Sequence, residues 1–254
     1  MTGSLRRVLR QVIVSSLLAA LCGAFASMAL PAQQADAASV IRHIDATVKA
    51  RIDSIAGYTA TEHYTVYRNN DENHPAAEMT VHTVYRRESG KEYTIVSQSG
   101  SEMLRRLVLQ SILDNEKRIN LPGNREASWI TSANYQFQLK PGGVQRLNGR
   151  DCLVLAISPK HKAPQLIEGT LWVDDHDYSI VQIQGTGTKS PSMFSGPTQM
   201  MRQYTGVQGF AEATHARAVS SSFMFGQTTI TIDYSDYAID LVHGKQADSF
   251  SPHP

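Results

Sequence analysis

A chain of 254 residues in which 24 basic side chains meet 23 acidic ones has a formal charge of +1, so net charge alone attracts neither nucleic acid nor anionic lipid. With 2 cysteines it is no disulfide-stapled scaffold, and its stability must come from a hydrophobic core.

The amino-terminal end carries Arg6, Arg7 and Arg10 without an acid, and residues 12–30 are apolar or small almost throughout. A basic n-region followed by an apolar h-region predicts a cleavable export signal over residues 1–37 and a periplasmic mature protein. Two small-residue cleavage sites follow, Leu30-Pro31-Ala32 and Ala35-Asp36-Ala37, which places the mature start between Gln33 and Ser39. Leu21 is too large to precede a lipidated Cys22. Removing residues 1–37 takes away three Arg and one Asp, leaving 21 bases against 22 acids. Cys152 is then the last cysteine, and no intrachain disulfide can form. Residues 38–240 are expected to make one domain and residues 241–254 a flexible tail.

Residues 39–55 place Ile41, Ile44, Val48, Ile52 and Ile55 at spacings of three and four, which predicts an amphipathic helix capped by Ser39 and stopped by a left-handed Gly57. Strands are predicted at 62–68, 79–87 and 92–97, separated by turn-forming stretches. A second helix spans 101–117, opened by a Ser99/Glu102 capping box and carrying Leu104, Val108 and Ile112 on one face. In the strand at 134–139, Tyr135, Phe137 and Leu139 alternate with Asn134, Gln136 and Gln138, so one face is buried and one is wet. Strands 144–147 and 150–158 are joined by Asn148-Gly149, which predicts a type I′ hairpin. Strands 171–173 and 178–185 flank a polar turn of Asp174, Asp175, His176 and Asp177. Residues 185–197 read as one long mobile loop. The last pair covers 210–222 and 228–237, with Ile230, Ile232 and Tyr234 on a single face. The expected fold class is α+β, mainly antiparallel β: a curved, unclosed β-barrel of about ten strands lidded by two or three helices.

Chemistry is not announced locally. The 9 histidines form no H-E-x-x-H or H-x-H arrangement, so no metal set is predicted. The run from Asp174 to Asp177 lacks the spaced ligands of a calcium loop and reads as a solvated turn. Cys152 lies within a predicted strand with no histidine nearby in sequence and reads as a structural thiol. No nucleophile elbow and no phosphate loop occur, and no cofactor is expected. The aromatic residues Tyr64, Tyr67, Tyr85, Tyr93, Tyr135, Phe137 and Trp172 either line a cavity or fill a core, since both use the same side chains.

One block, GTLWVDDHDYSIVQIQG at residues 169–185, carries Gly169, Trp172, Val173 and Asp174 in the order G-x-x-W-V-D. Together with the first helix, the early meander and the FGQTTITIDYSDY strand at 225–237, it resembles the LolA-type periplasmic lipoprotein carriers, a superfamily that includes LolB and RseB-like sensors. The resemblance spans residues 39–240. It implies an unclosed β-barrel that holds lipid or lipoprotein acyl chains in an apolar cavity without covalent chemistry, handing cargo to or from an inner- or outer-membrane partner protein. The polar loop at 189–198 and the Ser/Thr-rich final strand pair depart from the carriers and leave the cargo open. The cavity residues expected on this reading are Tyr135, Phe137, Leu139, Leu153, Leu155, Ile157, Ile230, Ile232 and Tyr234 from strands, with Leu104, Val108 and Ile112 from the lid. A monomer that binds no nucleic acid is expected. The rival readings are an RseB-like lipid sensor or interaction module, which is less expected because that branch carries a second domain after the barrel and only residues 238–254 follow Tyr237 here, and an exported hydrolase.

Overall fold

The computed structural model describes residues 36–163, 165–189, 196–222 and 226–242. Residues 1–35 of the expected export signal and residues 243–254 of the expected tail lie outside the described residues.

Helix α1 (Ala37–Ser54) starts two residues earlier than its apolar spacing predicts, because Asp36 and not Ser39 is the cap: its carboxylate accepts from the Ala38 and Ser39 amides. Gly57 does not stop the helix. Ile55 is already extended, and Gly57 lies within strand β1 (Ile55–Arg68), where an added Cβ would stand 2.7 Å from the Tyr85 carbonyl. Strands β2 (Ala77–Arg86) and β3 (Gly90–Gly100) complete the predicted meander. Helix α2 follows in three pieces, α-helical Glu102–Leu104, π-helical Arg105–Leu109 and α-helical Gln110–Asn120. Its cap is Ser101, whose hydroxyl accepts from the Leu104 amide. Ser99 instead donates across the sheet to Glu78, so the expected capping box is displaced by two residues.

The remaining strands are β4 (Tyr135–Leu147), β5 (Arg150–Pro159), β6 (Ile167–Asp174), β7 (Ile180–Gly187), β8 (Gln199–Val207), β9 (Phe210–Ser222) and β10 (Gly226–Leu241). All pair antiparallel in the order β3-β2-β1-β10-β9-β8-β7-β6-β5-β4. Chain order is broken once: β10 returns to pair with β1, so the early meander is joined to the later one. With β3 and β4 as unpaired edges, the structure is a curved, unclosed ten-stranded barrel with helices on its inner side, α+β and mainly antiparallel β.

Two offsetting differences lie behind the expected strand number. The segments 134–139 and 144–147 are one strand, β4, interrupted by a register shift between Leu139 and Val144. Strand β8 was absent from the sequence expectation. Its hairpin to β9 turns through Gln208 and Gly209, both at positive φ, and Gln is not a residue that advertises such a turn. The stretch 185–197 is not one loop either. Gly185–Gly187 belong to β7, and Thr188 is tied to Leu166 and Ala163; residues 190–195 lie outside the described residues. Asn148-Gly149 is as expected, with φ of 52° and 80° between the partners Leu147 and Arg150.

The block at 169–185 acquires a physical meaning from two glycines. Gly169 and Gly185 are directly opposed on β6 and β7, and a Cβ on either would lie 2.2 or 2.1 Å from a backbone oxygen of the other strand. Only glycine permits the two backbones to approach this closely.

Candidate functional site: the concave face

Residues directly opposed in an antiparallel ladder point to the same side of the sheet. Following the register from edge to edge therefore identifies one face. A first row runs Leu139, Leu155, Leu171, Ile183, Arg202, Ala216, Ile232, Tyr64 and Met79. A second runs Phe137, Ile157, Gly169, Gly185, Met200, Ala218, Ile230, Val66 and Ala77. Val144 and Leu153 begin a third, and Tyr234 sits opposite Glu62. The strand residues singled out from the sequence thus share one side, with Tyr135 two positions from Phe137 along β4.

Helix α2 covers part of this face. Leu104, Leu109 and Leu113 are buried against Tyr64, Val66, Met79 and Val81, while Val108, Ile112, Ile230 and Ile232 pack at the margin. The expected stripe of Leu104, Val108 and Ile112 is therefore shifted, since the π turn advances the buried positions from Leu104 to Leu109 rather than to Val108. Of the aromatic residues, Tyr64, Tyr85, Tyr93, Tyr135 and Phe137 lie on the inner side. Tyr67 and Trp172 lie on the outer side; Trp172 is opposed to Val154 and Gln182 and donates to Gln145.

The inner face is not uniformly apolar. Glu62 is 1% exposed, accepts a 2.5 Å hydrogen bond from the Tyr64 hydroxyl and faces Lys91 at 3.6 Å. Lys91 also pairs at 3.4 Å with Glu116 on α2. Burial alone would lower the Lys91 ammonium, but Glu62, Tyr58, Tyr93 and Glu116 hold it well above its ordinary range. Burial would likewise raise the Glu116 carboxyl, yet Lys91 and Arg202, with hydrogen bonds from Lys91 and Asn120, keep it below its ordinary range. Arg202 projects from β8 toward Tyr234, Tyr204 and Glu116, which together raise it. Arg51 of α1 makes a bidentate pair with the buried Glu212 of β9. Three cations and three carboxylates from α1, α2 and four strands thus form a neutral polar strip beside the apolar rows. Burial pushes the hydroxyls of Tyr58, Tyr93 and Tyr234 upward and that of Tyr135 to about 12, so they stay neutral; the Tyr135 hydroxyl accepts from the Ile167 amide, and the buried Tyr93 hydroxyl has no hydrogen-bond partner among the described residues.

Sequence reasoning missed this strip, although a signal existed. Tyr58, Ala60, Glu62, Tyr64 and Val66 share the parity of the buried side of β1, so Glu62 occupies an apolar position in the alternation.

The other sequence candidates hold structural positions. Asp174 is not a solvated turn residue: it is 9% exposed, accepts from the His176 and Asp177 amides and pairs with Arg150 at 2.8 Å. Despite partial burial, those amide bonds and Arg150 hold its carboxyl below the ordinary range. Among the described residues no group of His, Cys, Asp or Glu could hold a metal ion. Cys152 is fully buried, and its thiol is pushed to about 11 by burial and then by the Asp174 charge, which suppresses the nucleophilic thiolate.

No family model and no curated protein matches this sequence. Solved structures with a similar fold include three bacterial proteins. A LolA superfamily protein from Nitrosomonas europaea is 11% identical, with 80% of this chain and 93% of that chain covered and a TM-score of 0.43. A DUF1329 family protein from Desulfovibrio piger is 14% identical over 82% and 95% of the two chains, with a TM-score of 0.41. A domain assigned to outer membrane lipoprotein sorting, from Vibrio parahaemolyticus, is 13% identical over 82% and 95%, with a TM-score of 0.43.

Proposed function

We propose that the chain is a non-enzymatic periplasmic binder or carrier of acyl chains, presented by lipids or by lipoproteins, which lie along the concave face beneath the helices. One observation carries the reading: Phe137, Leu139, Leu155, Ile157, Leu171 and Ile183 form continuous apolar rows across four adjacent strands, buried at Leu155, Ile157, Leu171 and Ile183 and half-buried at Phe137 and Leu139, where a chain can enter. Each methylene moved from water to such rows contributes about 0.8 kcal/mol, so one acyl chain binds usefully and reversibly. The test is to purify the mature protein from an envelope fraction and identify co-extracted lipid by mass spectrometry. Near-stoichiometric acyl lipid supports the reading; protein that emerges empty and takes up no acyl ligand contradicts it.

Export is part of the proposal, and the cap of α1 sharpens the expected cleavage site. Cutting after Ala37 would remove Asp36 and leave the first amides of the helix without their acceptor, at a cost of about 1 kcal/mol. Cutting after Ala32 retains the cap. Amino-terminal sequencing of the exported protein is expected to begin at Gln33.

A further inference from the structure

Six large apolar side chains are strongly exposed among the described residues, and four of them lie on two neighbouring elements: Ile95 (43%) and Val96 (65%) on β3, Met103 (49%) and Leu107 (53%) on α2. Scattered exposed apolar residues need no explanation, but a grouped set does. The π turn is its local cause. Continued as an α-helix from Leu104, the chain would bring Leu107 and Val108 onto the buried side at i+3 and i+4. Instead Leu109 is buried and Leu107 points outward. Such insertions weaken the helix and concentrate at functional positions.

Arginines accompany these apolar side chains. A recess of about 240 Å³ is lined by Met79, Gln98, Glu102, Arg105, Arg106 and Gln110, and a second of about 360 Å³ by Glu102, Met103, Arg106 and Leu107. Arg105 Nε is buried without a hydrogen-bond partner among the described residues. Gln98 sets the open end of β3 beside the arginines. The part of this edge that faces α2 is uncharged, since residues 93–101 contain no charge. The opposite edge, β4, carries Lys140, Pro141 and two glycines at positive φ, the usual protections of a strand that faces water.

We infer that this patch docks the protein on an anionic phospholipid bilayer, with Met103 and Leu107 entering the acyl boundary and Arg105 and Arg106 holding lipid phosphates. Forked guanidinium donors match phosphate oxygens, and apolar side chains beside them match the interface below. The near-zero net charge of the chain does not oppose this, because lipid charge acts over about one Debye length, roughly 8 Å at physiological salt. Glu102 in the same recesses leaves a local excess of one positive charge, so apolar insertion carries most of the affinity. A second copy of the chain fits less well, since pairing two β3 edges brings two sets of the same arginines together.

The inference goes beyond the acyl-binding reading, and its experiment separates the two. The mature chain is floated with vesicles of phosphatidylcholine and with vesicles that also contain phosphatidylglycerol. The wild type is expected to bind the anionic vesicles. Met103→Asp with Leu107→Asp should weaken binding about tenfold or more, and Arg105→Gln with Arg106→Gln, or added salt, should weaken it by a smaller but measurable factor. If the aspartate variant fails to fold by circular dichroism, the glutamine variant decides. Absence of binding to anionic vesicles, undiminished binding by the variants, or a concentration-dependent dimer lost in the same variants would overturn the inference. Uptake of a fluorescent fatty acid from solution should persist in the patch variants. Vesicle binding without fatty-acid uptake in the wild type would remove the acyl reading and leave the docking surface standing.

Discussion

The concave face has two regions built on the same ladder, one apolar throughout and one in which paired charges interrupt an apolar core. Across β4 to β7 the inner side carries Leu, Ile, Val, Phe and Tyr, with the opposed Gly169 and Gly185 among them. From β8 through β10 and β1 to β3 the same side carries Arg202, Tyr234, Glu62 and Lys91, with Glu116 arriving from α2. Apolar rows bind by area and tolerate sliding, whereas a buried ionic strip is tolerated only when each charge meets its partners in a fixed geometry. The first region is the one on which the proposed acyl binding depends, and the second ties α2 to the sheet through Lys91 and Glu116.

Breaking the ionic region should have the largest effect. Lys91→Met leaves Glu62 buried without its counter-charge and should cost about 3–5 kcal/mol, measured by denaturant unfolding. Removing the carboxylate together with the cation, by Lys91→Met with Glu62→Leu, should restore much of that loss, because Glu116 keeps Arg202 as its counter-charge and the buried charges stay balanced. A double variant no more stable than Lys91→Met would show that the strip does not act through ion pairing. The pH dependence follows from Glu116. Its folded carboxyl lies below the ordinary value of 4.5, so its contribution is complete above that value and is lost as pH falls through the lower folded value. Lys91→Met should flatten this acid limb of the stability curve.

The apolar region is more sensitive to backbone space than to charge. Gly185→Val places a branched side chain where a Cβ alone would stand 2.1 Å from the Glu168 carbonyl, and should cost about 1–3 kcal/mol or more through strand displacement. Gly149→Val is a smaller perturbation. Nothing lies within 4 Å of an added Cβ there, and the cost comes from φ of 80° alone, about 1–2 kcal/mol. Equal losses at both sites would mean that β6 and β7 do not approach this closely at the glycine pair.

These positions also show what the sequence makes legible. Alternation in 134–139 and 230–234 and the Asn-Gly turn are local signals, and they locate the apolar set of each strand. The meeting of those sets on one side depends on register between distant strands, above all β10 with β1, which no local pattern contains. Glu62 and Lys91 were illegible for a related reason: a charge at an inward position looks like a break in the pattern until its partners on β3 and α2 are known. The π turn in α2 was hidden because residues 104–112 fit an ordinary helical stripe. Asp36 was overlooked as a cap because the apolar periodicity begins several residues later.

The central claim is that acyl chains lie on the apolar inner side of β4 to β7, and adjacent residues on one strand test it most directly. Phe137 points inward opposite Ile157, while Gln136 is exposed on the outer side opposite Ser158. Uptake of a fluorescent fatty acid should be abolished by Phe137→Asp, because a carboxylate set among methylenes is costly to desolvate, and should be unchanged by Gln136→Asp. Equal uptake by the two folded variants, or a loss confined to Gln136→Asp, would contradict the account.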